Sequence, residues 1–178
     1  ESLGAYGAHH TMGNISGNHD KCRFISLAGK AVSWNESDKA AGWEREIGVT
    51  ADGNKELEAH AYKMAMLLEV INFTIPGVPC VYQGDEYGEA GANDPDNRHM
   101  MKFDGLNAEQ TAFRAQVQQL AQLRRNNMAL LYGEYIPVEV SDTKLHFQRA
   151  YMGDVVDVLI DLNGESSITV NGDKVWSI

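Results

Sequence analysis

Three short segments gather carboxylates with other polar side chains, two of them at the ends of apolar runs, and these could do chemistry. Asn18-His19-Asp20 sets an imidazole beside a carboxylate. Such a pair can grip adjacent hydroxyls, the Asp accepting and the His donating. Taken alone, the tripeptide is more simply read as a solvated turn with a capping Asp. Asp85-Glu86 also ends an apolar run, and Glu86 reads as an anchor for its own loop rather than as a catalytic group. Asp94-Pro95-Asp96-Asn97-Arg98 packs acceptors and a guanidinium into one loop. An EF-hand needs a bidentate Glu at its twelfth position, where Gly105 stands, so a charged surface loop is the simpler reading. His9-His10 with His19 and Asp20 could suggest a metal. There is no HExxH and no cysteine pair at ligand spacing, so neither a metal nor a cofactor is expected.

These segments need elements to position them. Met12 to Ser16 reads as a short strand feeding a loop at Gly17. Residues 34–53 are polar and Gly-punctuated, a surface excursion with a helical turn around Ser37–Ala41. Asn54 can cap a helix with Glu56 and Glu58 in its first turns, where the dipole favours negative charge. Leu57, Ala61, Met64, Leu68 and Ile71 line one face, and Met66, Leu67 and Val70 widen it, which predicts a largely covered helix. Pro76-Gly77 ends the helix, and Val78 to Tyr82 reads as a strand buried on both faces, as in a parallel sheet. Asn107 with Gln110 resembles a capping box, opening a helix that carries Phe113, Val117, Leu120 and Leu123 and ends near 125–127. After Leu131 the pattern turns to period two. Tyr135–Val140, Lys144–Ala150, Val155–Asp161, Ser167–Val170 and Lys174–Ile178 read as strands joined by hairpin turns.

Composition limits the partners. The chain has 178 residues, 43% apolar and 22% charged, which is globular. Twenty-five acidic residues against fifteen basic give a net charge of −10, which argues against nucleic acid or an anionic membrane surface. The longest apolar stretch, Met64–Ile75, is too short and too polar to span a bilayer, and no signal peptide is visible. Cys22 and Cys80 are too few for a disulfide framework and are expected to be buried thiols.

Together and in order, these segments resemble the α-amylase family, glycoside hydrolase family thirteen. Ile15-Ser-Gly-Asn-His-Asp20, followed by Arg23, is similar to the family's strand-seven motif, with Ile15 where an aromatic is common. Gly77-Val-Pro-Cys-Val-Tyr-Gln-Gly-Asp-Glu86 is similar to the strand-eight motif G-x-P-x-x-Y-x-G-x-E. Gly91 to Arg98, with Met101 beyond, resembles the following loop in the neopullulanase and cyclomaltodextrinase branch. The helix at 108–127 and Leu131-Tyr-Gly-Glu-Tyr resemble the last barrel helix and its lead into domain C.

The resemblance implies an α/β plus all-β fold: the last two βα units of an incomplete (β/α)8 TIM barrel, then a small antiparallel β domain C. Residues 1–130 would be the barrel portion and 131–178 domain C. It implies that Asp20 stabilises a transition state, and that His19, Asp94 and Arg98 contact sugar. The substrate would be an α-glucan or maltodextrin, consistent with an acidic chain and an uncharged ligand. The family's Asp nucleophile and Glu acid/base lie on barrel strands four and five, before the Asn-His-Asp segment. Only fourteen residues precede Ile15, so the chain is expected to be a C-terminal fragment, inactive by itself. Strands cut from a barrel expose unpaired edges, so self-association is expected. The alternative is a non-catalytic carbohydrate-binding or protein-interaction module derived from the family, as the transporter heavy-chain ectodomains are.

Overall fold

The computed structural model describes Ala5, residues 12–33 and residues 46–178. His9-His10 and the expected turn around Ser37–Ala41 lie outside these residues. The elements run β1 (Gly13–Ile15), α1 (Phe24–Ala28), α2 (Lys55–Thr74), β2 (Val78–Cys80), 3-10 turns at Asp85–Tyr87 and Asp96–Arg98, α3 (Ala108–Asn126), α4 (Met128–Tyr132), β3 (Glu134–Val140), β4 (Lys144–Tyr151), β5 (Asp154–Asp161), β6 (Ser167–Val170) and β7 (Asp173–Ser177). They form two compact units, one of Glu1–Asn14, Val70–Pro79 and Leu120–Ile178, the other of Ile15–Glu69 and Cys80–Gln119.

The first unit is built on a five-stranded sheet in the order β3-β4-β5-β6-β7, antiparallel throughout. Period-two patterning separates its faces. Phe147, Val158, Ile168 and Trp176 stand opposite one another across four strands, each buried. Gln148, Asp157 and Thr169 form the neighbouring row on the other face, where Asp157 accepts from Gln148 at 2.8 Å and meets His146 Nε2 at 2.9 Å. Met152-Gly153 and Asn171-Gly172 join strands through two residues of positive φ each, the backbone a tight hairpin requires. Edge strand β3 carries Pro137, which lacks an N–H, and its pairing with β4 shifts register there.

Two buried arginines hold the end of α2 within this unit. Arg149 donates to the carbonyls of Thr74 (2.7 Å) and Gly133 (2.9 Å). Arg124 donates to the carbonyls of Phe73 (2.8 Å) and Gly77. A helix ends with unsatisfied carbonyls, and these guanidinium groups satisfy them. Burial, with Arg124 nearby, pulls the Arg149 pKa down to about 10. Arg124 therefore takes the buried position after Phe113, Val117 and Leu120, and the expected Leu123 is only half-buried.

Sequence signals for helix starts hold. Asn54 Oδ1 accepts from Leu57 N–H at 3.0 Å. Asn107 Oδ1 accepts from Gln110 N–H at 2.8 Å while Gln110 Oε1 accepts from Asn107 N–H at 3.2 Å, a reciprocal capping box. The buried face of α2 differs from the expected one. Ala61, Ala65, Met66, Leu67, Val70 and Phe73 are buried, whereas Leu57, Met64, Leu68 and Ile71 are half-buried. β2 was expected to be covered on both faces, yet Val78 is exposed and Cys80 half-buried. The reason is local: among the described residues β2 pairs with β1 alone, through Val78 N–H on the Met12 carbonyl at 2.9 Å. Cys22 is buried as expected. No helix among the described residues is long and apolar enough to cross a membrane.

Candidate functional site

All four residues singled out from the sequence fall in the second unit, around the turn that follows β1. Asn18 Oδ1 accepts from Asp20 N–H at 2.8 Å, and this local bond folds the chain back on itself. The turn carries His19 and Asp20 outward, their side chains 63% and 67% exposed and so open to a ligand. His19 Nε2 lies 3.2 Å from Asp20 Oδ1.

The loop 91–99 closes on this turn. Arg98 Nε donates to the His19 carbonyl at 3.0 Å and lies 3.3 Å from Asp94 Oδ1. Arg98 Nη2 lies 3.6 Å from Asp20 Oδ1. One guanidinium thus ties the two carboxylates and the His19 backbone together. The fully buried Asn97 sits behind it and donates through Nδ2 to the carbonyls of His19 (2.9 Å) and Lys21 (2.8 Å). Buried Asp96 holds the loop's other side, accepting from the Ile47 and Ala92 amides at 3.0 and 2.6 Å.

Beneath the turn lies an ion pair between buried Arg23 and half-buried Asp85. Arg23 donates to Asp85 Oδ1 at 2.8 Å and to the Gln83 carbonyl at 2.7 Å, and its guanidinium stacks 4.2 Å over the Tyr82 ring. Burial pushes the Asp85 pKa above its ordinary value, with Arg23 opposing the rise. Gly17 rests directly on this carboxylate: a Cβ there would meet Asp85 Oδ2 at 2.2 Å. Glu86 serves its own loop, accepting from Gly84 N–H at 2.7 Å.

The arrangement offers two carboxylate acceptors, a guanidinium and an imidazole on one open surface. That set suits hydroxyl groups, which both donate and accept. Among the described residues no group of three or more His, Cys, Asp or Glu side chains is placed to hold a metal ion. Asn97, which fixes the turn, was indistinguishable in sequence from its loop neighbours. Only an Asn directly before the candidate Arg98 hinted at it.

No protein-family model matches the chain. In sequence it is 34% identical over 110 residues to a cyclomaltodextrin glucanotransferase of Geobacillus stearothermophilus, covering 62% of this chain and 15% of that enzyme. It is 26% identical over 160 residues to a cyclomaltodextrinase of Thermoanaerobacter pseudethanolicus, covering 90% of this chain and 22% of that one. The chain therefore spans less than a quarter of the length of these curated relatives. In structure it is similar to the α-amylase of Geobacillus thermoleovorans, solved in complex with acarbose, with a TM-score of 0.62 and 22% identity over 89% of this chain and 30% of that one. The fold is that of a partial TIM barrel with a small antiparallel domain C. The chain belongs to the α-amylase family.

Proposed function

We propose that the chain is the C-terminal portion of an α-glucan-active glycoside hydrolase, with residues 1–130 from the barrel and 131–178 as domain C. In that reading Asp20 sets its charge against the oxocarbenium-like transition state. His19 donates to the same sugar, and Asp94 and Arg98 hold its neighbour. The observation that carries the reading is Arg98, which joins Asp94, Asp20 and the His19 carbonyl into one polar surface. A retaining glycosidase needs two carboxyl groups about 5–5.5 Å apart across the scissile bond, one of them a proton donor. Asp20 and Asp94 instead share a guanidinium, so the isolated chain should turn over no substrate. The test is hydrolysis of a nitrophenyl maltoside by the purified 178-residue chain. Turnover that Asp20→Ala abolishes would overturn the fragment reading.

The same reading predicts self-association. Ile15 on β1 and Val78 on β2 are 67% and 48% exposed, apolar surface that a second copy would cover. Sedimentation equilibrium should show mass rising with concentration, and a concentration-independent monomer would count against it.

A further inference from the structure

The dipeptide Asn-Gly occurs twice, at Asn163-Gly164 between β5 and β6 and at Asn171-Gly172 between β6 and β7. An asparagine followed by glycine can cyclise, because no Cβ hinders the approach of the glycine nitrogen to the Asn Cγ. All four residues are exposed, so access does not separate the two places. Their hydrogen bonds do. Asn171 is held at both ends of its side chain. Its Oδ1 accepts from Val155 N–H at 2.8 Å, and its Nδ2 donates to Asp154 Oδ1 at 3.1 Å. Its own N–H donates to the Val155 carbonyl at 2.8 Å. Swinging the amide carbon onto the Gly172 nitrogen would break both side-chain bonds. Asn163 has no such restraint. Its N–H donates to Asp161 Oδ1 at 2.9 Å, but its side-chain amide has no hydrogen-bond partner among the described residues. Gly164 N–H reaches the Asp161 carbonyl only at 3.5 Å, too long to hold the nitrogen firmly. The Asp161 carboxylate adjoins it, since a Cβ on Gly164 would lie 3.2 Å from Asp161 Oδ2. That carboxylate can take the proton the nitrogen must lose.

We propose that Asn163 is a site of spontaneous deamidation and that its turn contacts protect Asn171 from the same reaction. The Gly164 nitrogen bonds to Asn163 Cγ, the Cγ–Nδ2 bond breaks, and ammonia leaves with the Gly164 proton, relayed by Asp161. Water then opens the succinimide ring at either carbonyl. Cleavage of the new N–Cγ bond gives aspartate, and cleavage between the same nitrogen and the main-chain carbonyl carbon gives isoaspartate. Nothing is oxidised or reduced, and water is the one co-reactant. Either product places a new carboxylate between Asp161 and Glu165. Isoaspartate also adds a carbon to the backbone that joins β5 to β6. The β6–β7 turn keeps its original chemistry.

The test is peptide mapping by mass spectrometry after the full chain is incubated at mildly alkaline pH, with and without denaturing urea. Deamidation exchanges an NH2 for an OH, and fragment ions assign it to one asparagine. In the folded chain Asn163 should convert at least about tenfold faster than Asn171, and urea should bring the two rates together. Gly164→Ala sets a methyl group in the path of the attacking nitrogen and should slow Asn163 about tenfold. Asp154→Ala frees Asn171 Nδ2 and should bring the Asn171 rate toward that of Asn163. Both substituted residues are exposed, so the fold should tolerate the changes. Equal rates in the folded chain, or faster conversion of Asn171, would overturn the proposal. So would an intact Asn163 after an incubation that converts both asparagines in urea. A rate difference that persists undiminished in urea would assign the selectivity to neighbouring sequence and overturn the protective role of the Asn171 turn. Unchanged conversion of Asn163 in Gly164→Ala would overturn the attack by the Gly164 nitrogen.

Discussion

Gly17→Ala probes how the Asn18–Asp20 turn is seated. The added Cβ would stand 2.2 Å from Asp85 Oδ2, 3.2 Å from its Cγ and 3.4 Å from Tyr82 Cβ. Oδ2 must retreat by about 1 Å or more to reach ordinary contact distance. The Asp85 side chain is short, and Arg23 holds its other oxygen at 2.8 Å, so the retreat breaks that bond. A charge-assisted bond of this kind contributes about 1.5–3 kcal/mol. Arg23 keeps the Gln83 carbonyl and the Tyr82 ring, so it is not left unpaired. The expected cost is therefore about 2 kcal/mol, within that bond's range. With a urea slope of about 2 kcal/mol/M, the unfolding midpoint should fall by about 1 M. Far-UV circular dichroism would follow it in Gly17→Ala, Asp85→Ala and the double variant. In the Asp85→Ala background, Gly17→Ala should cost less than about 0.5 kcal/mol, because the clashing atom is gone. A midpoint within about 0.25 M of wild type would refute the reasoning, as would simple additivity in the double variant.

Other outcomes follow from the same contacts. Asn97→Ala removes a donor from the Lys21 carbonyl and leaves the His19 carbonyl to Arg98 alone, and should cost about 1–3 kcal/mol, with faster amide exchange at Asp20; unchanged exchange would remove Asn97 as the turn's anchor. Arg149→Ala strips the Thr74 and Gly133 carbonyls of their donor in a fully buried place, at a cost of about 3 kcal/mol or more by urea unfolding; a loss under about 1 kcal/mol would contradict this. The Asp85 pKa is raised from 3.8, so the folded chain binds more protons there than the unfolded chain once pH exceeds that value. Stability from this group then declines as pH rises toward the folded pKa, so Asp85→Asn should gain on wild type across that rise; wild type gaining instead would reverse the assignment.

Much of the fold was legible because its signals are local. The Asn54 and Asn107 caps, the positive-φ hairpin turns and the period-two strands each depend on residues a few positions apart. The buried face of α2 was less legible, because every side of it offers apolar residues and only packing chooses among them. Arg124 was hidden for another reason: nothing near it in sequence announces that α2 will end beneath its guanidinium.

For the candidate site, the sequence by itself determined the types of side chain available, and the order of its motifs carried the family. Asn18-His19-Asp20 also makes its own turn, through one short-range bond. Only the tertiary structure decided that Arg98, seventy-eight residues beyond Asp20, joins it, that Asn97 pins the turn from below, and that a side chain at Gly17 would displace the Asp85 carboxylate. Those facts depend on which distant surfaces meet when apolar residues leave water, and no local propensity encodes that meeting.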